Sequence, residues 1–136
     1  MDNIIDRRKL EVRLVLTTFV IYFFSTFASK FHWYTSIPWL DMLMHAIGGL
    51  WVGFILFYIF PIKGKKFTYF IKVFLGILLV GVGWEVFEFV VNNLYLAKEP
   101  FDIVDTSSDI FFDMLGGACS IFYFSKRIML KDKITV

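Results

Sequence analysis

A chain of 136 residues has room for one domain, and its 58% apolar and 21% aromatic content lies well above that of a water-soluble globular protein. The formal charge of +2 comes from Lys and Arg placed at the ends of apolar stretches and not along one helix face, which leaves no nucleic-acid reading. The single cysteine, Cys119, cannot form an intrachain disulfide, so the fold must hold without one.

Four apolar stretches follow in chain order, at 12–29, 39–60, 69–96 and 106–125. Each approaches or exceeds the ~20 residues that a helix needs to cross a ~30 Å hydrocarbon core. The first runs too long for a signal-peptide core and lacks a small-residue cleavage site, so it is expected to stay as a helix. The connections "KFHWYTSIP", "PIKGKKF" and "AKEPFDIVD" hold Pro38, Pro61 and Pro100 at or outside helix ends. The expected fold is all-α, an integral membrane four-helix bundle forming a single transmembrane domain over 1–136.

Basic residues set the expected orientation. Arg7, Arg8, Lys9 and Arg13 precede the first stretch, Lys63, Lys65, Lys66 and Lys72 flank the second connection, and Lys126, Arg127, Lys131 and Lys133 follow the last. Only Lys30 and Lys98 fall on the other side. The positive-inside rule therefore puts both termini in the cytoplasm of a multi-pass protein of the cell membrane.

With orientation assigned, the acids can be compared in depth. Asp41 opens the second stretch, and His45 lies on the same face about 6 Å further in at ~1.5 Å per residue. Glu85 and Glu88 share a face in the outer half of the third stretch, with Gly81 and Asn92 a turn to either side. The fourth carries Asp105, Asp109 and Asp113 at successive four-residue intervals, followed by Gly116, Gly117 and Ser120. Three helices thus bring carboxylates to similar depth without a Lys or Arg among them. Such a group cannot stay fully ionised side by side: some members must hold protons, or a cation must neutralise them.

A divalent cation answers that requirement, with Asp41, His45, Glu85, Glu88, Asp109 and Asp113 as its ligands. Oxygen donors suit Mg²⁺, Mn²⁺ or Ca²⁺, and the imidazole admits Zn²⁺ or Fe²⁺, so the donor set does not choose the metal. Glycines at 48, 49, 53, 76, 81, 83, 116 and 117 would let the helices approach closely enough for short acids to meet. Ordinary structural roles compete at the edges of this set. Asp102 and Asp105 precede a helix, and "TSSD" at 106–109 resembles a capping box; Asp41 suits a first turn as well as a site. Trp51 and Trp84 suit packing or interface anchoring, while Asn92 and Asn93 suit a helix end.

"DMLMHAIGG" at 41–49, "WEVFEF" at 84–89 and "DIVDTSSDIFFDMLGG" at 102–117 together resemble the pattern of VanZ-like and YjdF-like small polytopic membrane proteins, over about 38–118. The resemblance implies a four- or five-helix membrane bundle and, for the VanZ branch, an association with glycopeptide resistance, with no settled reaction. Acids at Glu88 and Asp113, where VanZ-like chains more often carry amides, place this sequence nearer the YjdF-like side.

Three functions then compete. A metal-dependent enzyme acting on a lipid or lipid-linked phosphate would use His45 or Glu85 as general base. A proton- or metal-coupled transporter would use the same acids as a relay, but the inner halves of the helices offer few polar steps beyond Thr17, Thr18, Ser120 and Ser125, so an oligomer would have to supply the path. An accessory subunit would keep the acids as a protonated network. The expected partners are membrane lipids and further copies of the chain.

Overall fold

The computed structural model describes residues 7–60, 65–96 and 102–134. It contains five α-helices: α1 (Arg7–Lys30), α2 (Trp33–Ser36), α3 (Leu40–Ile59), α4 (Lys66–Val91) and α5 (Ile103–Ile134), with a π-helical turn at Asn92–Leu96 continuing α4. The four expected apolar stretches all fall on the long helices. Pro61, Lys63, Lys98 and Pro100 lie outside the described residues.

Local chemistry explains the boundaries. The first connection holds α2, a helical turn that apolar periodicity cannot reveal. His32 ends α1 in the left-handed region at φ 56°, and its carbonyl accepts the hydroxyls of Thr35 and Ser36. Ile37 is extended, as a residue before proline prefers, and this lets Pro38 redirect the chain into α3. Helix α5 begins at Ile103 and not near Thr106, because Asp102 supplies the cap: its Oδ1 accepts the amides of Val104 at 2.8 Å and Asp105 at 3.4 Å. Asp105 therefore lies inside the first turn, where a carboxylate favours the helix dipole.

Among the described residues, three helices are long and apolar enough to cross a membrane, over Arg7–Lys30, Leu40–Ile59 and Lys66–Leu94. Helix α5 is also long enough, but its acids and serines lower its hydropathy. Many large apolar side chains are exposed on the outer faces, including Leu16 and Phe19 on α1, Leu79 and Phe87 on α4, and Phe111 and Phe122 on α5. A surface of this kind belongs in lipid. Along α1, the hydroxyls of Thr17, Thr18 and Thr26 donate to carbonyls one turn back, the arrangement that satisfies them without water.

The helices pack so that the two ends of the bundle differ in chemistry. At the basic end, Leu10, Phe54, Phe57, Tyr69, Val73, Ile77 and Phe124 form an apolar core, with the Phe57 and Phe124 rings 4.3 Å apart. At the opposite end α3, α4 and α5 converge on acids. The closest contact joins α3 and α5, where Gly49 lies against the Asp113 backbone, Gly116 against Ala46, and Gly53 against the Ser120 hydroxyl. Gly83 faces open space and takes no part in this packing, contrary to the expectation from sequence. Helix α1 joins α3 through a 2.8 Å hydrogen bond from Trp51 Nε1 to Thr18 Oγ1, so Trp51 ties two helices together.

Candidate cation site

Helix α3 enters the acidic end first. Asp41, in its first turn, keeps 43% of its side chain exposed, and His45 one turn deeper is buried at 8%. Because glycines bring α5 against α3, Asp109 and Asp113 reach the same imidazole and are buried at 3% and 7%. Helix α4 supplies Glu85 and Glu88, both half-buried.

His45 is the centre of the arrangement. Its Nε2 lies 4.0 Å from Asp41 Oδ1 and 3.9 Å from Asp109 Oδ2, while Nδ1 lies 3.4 Å from Asp113 Oδ1. Potential ligand atoms fall into two groups, Asp41 with His45 and Asp109, and His45 with Glu85 and Glu88, each with its atoms within 4.8 Å of one another. The structure thus brings five of the six expected ligands into two sets sharing one imidazole, and places Asp113 across the ring from Asp41 and Asp109. Asp102 and Asp105 are exposed and stay outside both sets.

Separations of 3.9–4.0 Å are too long for hydrogen bonds. They fall near the roughly 3–4 Å between two atoms that share an ion at bond lengths of about 2.0–2.4 Å. Glu85 Oε1 is sealed from solvent without a hydrogen-bond partner, an unsatisfied acceptor of the kind that a cation or proton completes. No Lys or Arg occurs in α3, and those of α4 and α5 lie at the far ends of their helices. The donor set therefore suits a cation and offers an anion nothing but the imidazole.

Residues 4–129 match the model of the DUF2238 family, described as a predicted membrane protein. The chain belongs to this family. No curated protein and no solved structure matches it. The DUF2238 description agrees with the apolar exterior and the three long apolar helices, and it names no activity, so the chemistry of this member rests on its own residues.

Sequence spacing put His45, Asp109 and Asp113 on facing helices but gave no sign of which imidazole nitrogen each acid meets. It did not show that Gly48 and Gly81, already expected to let short acids meet, border the Asp113 carboxylate itself from α3 and α4. Their presence beside an acid-bearing stripe was the available signal.

Proposed function

We propose that this is a four-span cell-membrane protein with both termini in the cytoplasm, in which α3, α4 and α5 hold a divalent cation near the outer face. The observation that carries this reading is the shared His45 imidazole between two acidic groups, one of which contains Glu85, whose Oε1 is buried without a hydrogen-bond partner. Asp41, Asp109, Glu85 and Glu88 supply oxygen donors and His45 one nitrogen, a set that suits Mg²⁺, Mn²⁺, Ca²⁺ or Zn²⁺. Treating α5 as the fourth span is supported by its packing on α3 from Gly116 at the acidic end to Phe124 at the basic end.

The chemistry favours cation binding, with a metal-dependent reaction on a lipid or lipid-linked substrate as its extension. In that extension the ion would polarise a phosphoryl oxygen, and Glu85 would take a proton from water. Conduction through a single copy is disfavoured by the aromatic core at the basic end, where the buried Ser120 hydroxyl already donates to the Gly117 carbonyl. The resemblance to VanZ-like and YjdF-like proteins supports a membrane bundle with this acidic pattern and supplies no substrate. Elemental analysis of the detergent-purified protein tests the reading: stoichiometric metal that is lost in Glu85→Gln supports it, and a metal-free wild type removes it.

A further inference from the structure

Asp113 stands apart from the other acids by the nitrogen it faces. Its Oδ1 lies 3.4 Å from His45 Nδ1, the shortest of the three approaches to the ring, whereas Asp41 and Asp109 approach Nε2. The two nitrogen lone-pair directions diverge across an imidazole, and a neutral ring carries a proton on one nitrogen and an acceptor on the other. A cation held at Nε2 by Asp41 and Asp109 is therefore on the wrong side of the ring for the Asp113 carboxylate.

The surroundings of Asp113 are shaped to hold it there. A Cβ at Gly81 would lie 2.8 Å from Asp113 Oδ2 and 3.5 Å from its Cβ and Cγ, while one at Gly48 would touch Oδ1 at 3.8 Å. Gly49 lies against the Asp113 backbone itself. Bare backbone on two neighbouring helices thus leaves a slot that the carboxylate fills, with one oxygen toward α4 and the other toward the imidazole. The buried side chain has little freedom to turn away.

We infer that Asp113 is a positioning residue and not a metal ligand: it accepts the Nδ1–H of His45, leaves Nε2 bare toward Asp41 and Asp109, and is itself held by the slot at Gly81. This rests on the cation reading above. Carboxylates that orient a metal-bound histidine in this way change affinity by roughly 10- to 100-fold when removed. Charge matters less to the role than an acceptor oxygen at the right place, and an asparagine provides one.

The test compares metal affinity, measured by competition with a Mn²⁺ probe, across Asp113→Asn, Asp113→Ala, Asp109→Asn, Gly81→Ala and Gly83→Ala. The expected order is near-wild-type binding for Asp113→Asn and Gly83→Ala, with a loss of roughly 10- to 100-fold for Asp113→Ala and for Gly81→Ala. Gly83→Ala makes the same change on the same helix with nothing within 4 Å of the new methyl, so it controls for helix propensity. If Gly81→Ala does not fold, the contrast between asparagine and alanine at 113 still decides the matter. Binding as weak in Asp113→Asn as in Asp109→Asn, in a wild type that holds metal, overturns the assignment of Asp113 alone. A wild type that binds no Mn²⁺, Mg²⁺, Ca²⁺ or Zn²⁺ overturns the cation reading and this inference with it. ¹⁵N spectra of histidine-labelled protein add a structural readout: with Zn²⁺, Nε2 should be the metal-bound nitrogen and Nδ1 the protonated one, and the reverse assignment contradicts the inference.

Discussion

Gly116 of α5 lies directly against the carbonyl of Ala46 of α3, with no side chain between the two backbones. Ala46 follows His45 in sequence and Gly116 comes three residues after Asp113, so this contact sets the distance across which the acids of α5 reach the imidazole. A methyl at 116 would come within 2.7 Å of the Ala46 carbonyl carbon and 2.9 Å of the Leu50 nitrogen. Backbone cannot swing aside as a side chain can. Gly116→Ala is therefore expected to destabilise the bundle by about 1–3 kcal/mol or more, whereas Gly83→Ala should stay within about 0.5 kcal/mol of wild type. Unfolding of both variants in detergent micelles measures the difference.

The cap of α5 makes a smaller, local prediction. Removing the Asp102 carboxylate in Asp102→Ala leaves the amides of Val104 and Asp105 without their acceptor, at a cost of about 1 kcal/mol. Hydrogen exchange should quicken at those two amides and in the first turn of α5, with the α3–α5 contact unchanged.

The link between α1 and α3 tests whether the first helix serves the site. Trp51→Phe removes the hydrogen bond to Thr18, worth roughly 0.6–2 kcal/mol between helices in lipid. None of the clustered acids comes from α1. Stability should fall by that amount while cation affinity stays at the wild-type value, and a parallel loss of affinity would show that α1 shapes the site.

The two acidic groups predict an order of severity. Asp41→Asn weakens one group and Glu88→Gln the other, while His45→Ala removes the donor they share. Each acid variant should lower affinity about tenfold or more, and His45→Ala should exceed either, since every ~1.4 kcal/mol of lost coordination is tenfold in binding. Isothermal titration with one metal across the three variants gives the order.

Much of this arrangement was legible in the sequence because helical spacing and membrane depth act together. The i, i+4 pairs Asp41–His45 and Asp109–Asp113 and the i, i+3 pair Glu85–Glu88 each mark a helix face, and alternating helix direction brings those faces to one end. What spacing could not show depends on how neighbouring helices rotate and approach. The separation of Asp109 and Asp113 onto opposite nitrogens of His45 is a matter of about one turn of rise along α5, decided by the glycine contacts at 49 and 116. Gly83 and Gly81 look alike in sequence, but two residues on a helix differ by more than half a turn, so one faces Asp113 and the other open space. The turn of α2 and the cap at Asp102 rest on single side-chain hydrogen bonds, which leave no periodic signal.

The central claim is that His45 is the common donor of a cation site, and metal analysis of purified wild type and His45→Ala, after exposure to the same mixture of Mg²⁺, Mn²⁺, Ca²⁺ and Zn²⁺, tests it most directly. The account predicts a stoichiometric divalent ion in the wild type and its loss in a folded His45→Ala protein. A wild type without metal, or an ion retained in full after His45 is removed, would contradict it.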